Sequence, residues 1–220
     1  MPLAGRPTLD SVDAFSKRCS TLAEAWRWWA TTLADLDSPA WRLETRLPGW
    51  DVAALVAHTS LLVRGLGFLC SSPLDEEPVV RTAADMLRGF NAPGGVATTF
   101  ADGTAEMARR QAASMSPDEL IAVFAVTAPD VVAAVEEAGP IVIEYFGNGT
   151  FPILEVMSIA VLEAVVHGLD LCAAVHAPVA SLPQAPMQHT VGLLASIAEP
   201  VRFIEDATGR SSTHVLPVLR

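Results

Sequence analysis

The chain has 220 residues, 51% of them hydrophobic, with a mean hydropathy of +0.37 and a formal net charge of −11. That is enough apolar material for one self-supporting core without disulfide or metal staples. The acidic residues are scattered and no basic stripe is present, which excludes a nucleic-acid surface and a polybasic membrane anchor.

Residues 9–35 place Phe15, Leu22, Trp26, Trp29 and Leu33 at helical spacing and predict a first amphipathic helix. Asp-Ser-Pro-Ala-Trp at 37–41 breaks it. Leu-Pro-Gly-Trp-Asp at 47–51 then forms a turn that ends in a helix start, with Asp51 as N-cap of a second helix running from Val52 to Cys70. Residues 71–98, rich in proline and glycine, read as a loop with one short helix near 80–88.

A third helical region starts near residue 102, is interrupted by the capping-box pattern Ser116-Pro117-Asp118-Glu119 and continues to Glu137, with a kink expected at Pro129. Residues 139–152 read as a glycine-punctuated connector of β-leaning residues, and a fourth helix covers 153–175. A linker and a short helix at 187–198 follow, and two extended runs around Ala207-Thr208-Gly209 carry a hairpin signal. The pattern predicts an all-α fold: a four-helix bundle over residues 1–180, then a small C-terminal extension over 181–220 with a short helix and the hairpin.

Two segments, 52–70 and 152–175, have the length and apolarity of membrane spans. Each carries ionisable groups near its middle (His58 and Arg64; Glu163, His167 and Asp170), which points to buried bundle helices instead. The first residues, MPLAGRPTLDSVD, hold no apolar run of the signal-peptide kind. Cys19, Cys70 and Cys172 are odd in number and widely spaced, the pattern of free thiols in a reducing compartment. A soluble cytoplasmic protein is the expectation.

Glu163 and His167 stand four residues apart, one turn of a helix, so they share a face; Asp170 follows His167 by three. His58 sits in the middle of the second helix among residues that want a core. Charged groups buried in such a place must be paired, hydrogen-bonded or bound to something. Two readings remain open on spacing alone. The groups form a satisfied core cluster, with Glu163 paired to His167 or Arg64. Or two imidazoles and a carboxylate hold a catalytic zinc ion with an open coordination position, or iron, manganese or nickel in its place. His176, His189 and His214 are not expected to join such a site. Glu155, two turns before Glu163, and Tyr145, in the connector, are weak candidates for its lining.

The residues around both histidines carry a family pattern. TRLPGWDVAALVAH, residues 45–58, resembles a signature of the mycothiol-dependent maleylpyruvate isomerase and DinB-like superfamily, in which a Pro-Gly-Trp turn leads into a helix with a ligand histidine. EYFGNGTFPILEVMSIAVLEAVVHGLDLCAAV, residues 144–175, resembles the second signature, a Phe-Gly turn followed by a helix with Glu-x-x-x-His-x-x-Asp-Leu. The resemblance implies a DinB-like bundle whose metal ligands fall on His58, Glu163 and His167, with Trp50 as the turn aromatic and Asp170 as the acidic residue beyond the second histidine.

It further implies a divalent metal, zinc first, and mycothiol as cosubstrate for an isomerase or S-transferase acting on a small electrophile. The same metal set also fits a hydrolase using no thiol, or a metal-stabilised binding or regulatory bundle. In the isomerase a substantial C-terminal α/β domain contributes substrate-binding groups. The short stretch 181–220 leaves maleylpyruvate itself unassigned as substrate.

Overall fold

The computed structural model describes residues 9–99 and 101–210. Helix α1 (Leu9–Ala34) buries Phe15, Leu22, Trp26, Trp29 and Leu33, the stripe set by their spacing of three to four residues. Helix α2 (Val52–Cys70) begins where the Asp51 carboxylate accepts the Ala54 N–H at 2.8 Å, as the cap residue predicts. Short helices α3 (Ala83–Asn91) and α4 (Val96–Thr99) follow, then α5 (Ala101–Ser114). A complete capping box between Ser116 and Glu119 opens α6 (Pro117–Ala122). The backbone then widens into a π-helical turn, Val123–Thr127, before α7 (Ala128–Ala138). Pro129 follows that turn; the helical run is continuous there, Thr127 and Ala128 having right-handed helical backbone, and the proline has no N–H to donate within it.

The segment expected as a connector is a β-hairpin. Strands β1 (Val142–Glu144) and β2 (Thr150–Pro152) pair antiparallel, with Ile143 opposite Phe151. Three-residue strands are too short to show an alternating pattern, but the glycines of Phe-Gly-Asn-Gly mark the turn, Gly147 and Gly149 both having positive φ. Helix α8 (Ile153–Val175) follows directly and is largely buried.

Four rods close the bundle. Helix α1 packs on α8 and α7, and α2 packs on the same two, so each helix touches two neighbours around one core. Helix α5 lies against α2 outside that ring. Trp29, fully buried, fastens three rods at once: its ring stacks on Phe124 with centroids 5.3 Å apart, and its indole Nε1 donates to the Ala164 carbonyl at 3.0 Å. Gly168 allows the close approach of α1 and α8, since a Cβ there would sit 3.1 Å from the Trp28 ring and 3.0 Å from Leu182. Trp26, Trp28 and Trp29 are all buried.

Helix α9 (Gln184–Ile197) lies across α8, α3 and α1, and α10 (Pro200–Ala207) follows. The first extended run expected in the tail is therefore helical. The Glu199 carboxylate accepts the N–H groups of Val201 and Arg202, and Pro200 occupies the first turn, a start signal that outweighs the β-leaning residues. The second run, 211–220, lies outside the described residues. Helices α2 and α8 are long and apolar enough to cross a membrane, but 56% and 72% of their most apolar windows are buried inside the fold.

Candidate metal centre

His58 reaches inward from the middle of α2, and Glu163 and His167 face it from α8. One nitrogen or oxygen from each lies within 4.8 Å of the others. The Glu163 carboxylate oxygen Oε2 is 3.1 Å from His167 Nε2 and 3.8 Å from His58 Nε2. The two imidazole rings meet edge to face, with centroids 5.2 Å apart. All three residues are partly buried.

Groups behind the cluster set its orientation. His167 Nδ1 lies 2.9 Å from Asp170 Oδ2, and Asp170 is itself buried. Arg46 Nε donates to the other oxygen of Asp170 at 2.5 Å. Trp50, delivered by the turn before α2, packs edge-on to His58 at 5.0 Å and stacks over His167 at 6.4 Å. The Pro-Gly-Trp turn thus walls the cluster, and Gly49 supplies its positive φ. Arg46 drew no notice in the sequence; it lies 124 residues from Asp170, and no local pattern links them.

Burial disfavours the Glu163 carboxylate, but the His167 and His58 imidazoles outweigh that cost and hold its pKa well below the usual range. Burial likewise opposes a charged His167, yet hydrogen bonds to Asp170 and Glu163, with their charges, raise it to about 9. Asp170 is lowered because His167 and Arg46 together exceed its desolvation.

The donor set suits a divalent cation. His58 Nδ1 is buried without a hydrogen-bond partner, and its Nε2 stands beyond hydrogen-bond distance of Glu163. An imidazole so placed and so poorly partnered has a donor to spare. His167 Nδ1 is engaged by Asp170, the outer-shell arrangement that fixes the ring of a metal-binding histidine and leaves Nε2 turned inward. Glu163 does pair with His167, but Arg64 takes no part; its Nη2 bonds Ser60 instead.

Other candidates fall elsewhere. His176 caps the C-terminus of α8 in a left-handed conformation, and His189 sits on α9 with Nε2 buried and unpartnered. His214 lies outside the described residues. Glu155 accepts the Ala83 N–H at the start of α3, so it anchors that helix and does not line the site. Tyr145 does: with His58 and Glu163 it borders a cavity of about 800 Å³. Burial first, then the Glu163 charge, pushes its phenol up to about 12. Cys19, Cys70 and Cys172 are unpaired, and burial raises all three thiols, Cys19 to about 11.

The family described as "Mycothiol maleylpyruvate isomerase N-terminal domain" matches residues 22–172. Among solved structures, the crystal structure of the mycothiol-dependent maleylpyruvate isomerase superposes with a TM-score of 0.55 at 17% identity, covering 82% of this chain and 68% of that one. At that identity the likeness is one of fold. No curated protein matches the sequence.

Proposed function

The chain belongs to the mycothiol maleylpyruvate isomerase N-terminal domain family, and from that premise we propose that it is a metal-dependent, thiol-using enzyme, an isomerase or S-transferase acting on a small electrophile with mycothiol as cosubstrate. One observation carries the reading: three metal-type donors from two helices converge, and two of them, His58 and Glu163, line a cavity large enough for a small molecule. A structural ion would be closed off by a fourth protein ligand. Among the described residues no other His, Cys, Asp or Glu joins the three. That favours an enzyme over a metal-stabilised binding or regulatory bundle. We take the protein as soluble because α2 and α8 are buried within the fold, and as cytoplasmic because Cys19, Cys70 and Cys172 are unpaired.

His58, Glu163 and His167 would hold the ion, zinc in the first instance. When bound, a divalent cation supplies a Lewis acid that lowers the pKa of a thiol, or of water in a hydrolase. The chain's own residues do the rest. Asp170 accepts from His167 Nδ1 and so keeps Nε2 free to donate its lone pair, while Arg46 keeps Asp170 ionised. Trp50 covers both imidazoles and limits water around them. Tyr145 stays protonated at neutral pH on the cavity wall, a hydrogen-bond donor for an oxygen of the electrophile on which charge develops.

The test is elemental analysis of the purified protein followed by mycothiol-consumption assays with candidate electrophiles. Stoichiometric metal and metal-dependent thiol consumption support the reading. Turnover by water alone transfers the site to the hydrolase class, and a metal-free, inactive protein removes the enzyme reading.

A further inference from the structure

The cavity beside the three donors has a wall out of keeping with a small, highly charged substrate. Its sides are formed chiefly by Leu61, Leu62, Phe68, Met86, Phe90 and Ile159. Three further features point the same way. Phe68, Met107 and Phe146 all border this one cavity yet remain 69%, 47% and 54% exposed, a concentration of large apolar groups in solvent that marks a binding surface. Phe146 is held at φ 49°, an unfavourable backbone conformation for a bulky residue, and its ring lies against Gly65, where a Cβ would come within 2.9 Å. The β-hairpin turn thus spends strain to set an aromatic ring at the cavity wall.

The charges are as uneven as the surface is apolar. Glu163 and Arg64 are the charged residues of the lining, with His58 beside them, and Glu163 is engaged by the two imidazoles. Arg64 has no carboxylate partner among the described residues; it makes one long contact, 3.5 Å, to Ser60. It stands six residues beyond His58 on the same helix, so their Cα atoms are roughly 9 Å apart along the axis. A free guanidinium at that distance matches a carboxylate at one end of a ligand whose other end reaches the donor cluster.

We propose that the cavity selects an apolar monoanion: an electrophile carried on a hydrocarbon chain or ring system, with a single carboxylate bound by Arg64 and the apolar body packed against Phe68 and Phe146. The inference rests on the preceding reading in taking this cavity as the reacting pocket. A small dicarboxylate is disfavoured, because outside the donor cluster the lining holds one cation, Arg64, and a second carboxylate would meet only the uncharged polar groups of Tyr145, Thr104 and Gln111 on an otherwise apolar wall.

Calorimetry on the full chain, with its metal content measured, tests this without any thiol. The probes are octanoate, 1-octanol and fumarate. Octanoate should bind about three- to fivefold tighter than either of the others, the margin of an ion pair to an exposed guanidinium. Arg64→Met should bring octanoate to the level of octanol and leave octanol unchanged. Phe68→Ser, at an exposed position, should weaken both by a similar factor. Fumarate binding as tightly as octanoate overturns the proposal. So does an octanoate preference that survives Arg64→Met, which places the anion elsewhere, or a dimer in sedimentation that covers the cavity mouth and excludes octanoate. The binding pattern without mycothiol consumption removes the proposed function and keeps the ligand class. Mycothiol turnover without octanoate preference does the reverse.

Discussion

His167 Nδ1 and Asp170 Oδ2 lie 2.9 Å apart on one edge of α8, and Arg46 holds the other Asp170 oxygen from the turn before α2. The relay joins the two helices that carry the donors. It also fixes which nitrogen of His167 faces Glu163. Asp170→Asn removes the charge while keeping the shape, and should weaken zinc binding about ten- to hundredfold. Competition against a chelating dye measures this. Unchanged zinc affinity would show that Asp170 only pairs with Arg46 and has no influence on the site.

The cysteines are expected to be dispensable for turnover. Cys19 is fully buried, its Sγ 3.9 Å from the Met157 sulfur, and with its pKa near 11 it is a thiol at neutral pH, not a nucleophilic thiolate. Burial raises Cys70 and Cys172 as well. Cys19→Ala, Cys70→Ser and Cys172→Ala should each keep turnover within about twofold once folded. Loss of activity in any stably folded member of the set contradicts this.

Both donor-bearing helices were legible because their signals are local. Asp51 caps α2, and long apolar runs interrupted at helical spacing define α2 and α8, whose observed limits, Val52–Cys70 and Ile153–Val175, coincide with those read from the sequence. The convergence of His58 with Glu163 and His167 is expected through the family pattern; spacing alone favours a satisfied core cluster. What was not legible depends on contacts between distant segments. The partnership of Arg46 with Asp170 has no trace along the chain, and the hairpin at 142–152 is held by pairing and by Leu74, whose N–H donates to Val142, not by its three-residue strands. At 200–207 the helix-start pair Glu199-Pro200 stands in the sequence, but the Val, Phe and Ile residues beside it carry the extended pattern that the hairpin expectation followed.

His189 gives the fold an acid-sensitive point. Burial, then the charge of Arg18, pushes its pKa down to about 4, against an ordinary value near 6.5. The unfolded chain binds the proton more readily, so this group's contribution is fully present above about pH 6.5 and is lost as the pH falls toward 4. His189→Gln should remove that part of the slope: its Tm should fall less than the wild type's between pH 7 and 4.5. Parallel curves for the two proteins would show that His189 does not drive the loss.

His167→Ala should abolish metal retention and turnover while leaving a helical protein. Removing one of three ligands leaves His58 and Glu163, which can approach each other or take up water, so no buried charge is stranded without recourse. The bundle itself rests on other contacts. Trp29, Phe124, Leu22, Leu33, Leu55 and Met157 are all fully buried, and burial at ~25 cal/mol per Å² over faces of this size exceeds what one vacated site costs. Circular dichroism and metal analysis of the variant, set beside chelator-treated wild type, decide the matter. Helical, metal-free and inactive is the expected result for both. Unfolding of both would make the ion structural, and a variant that keeps metal and full turnover would make His167 a core histidine paired with Asp170.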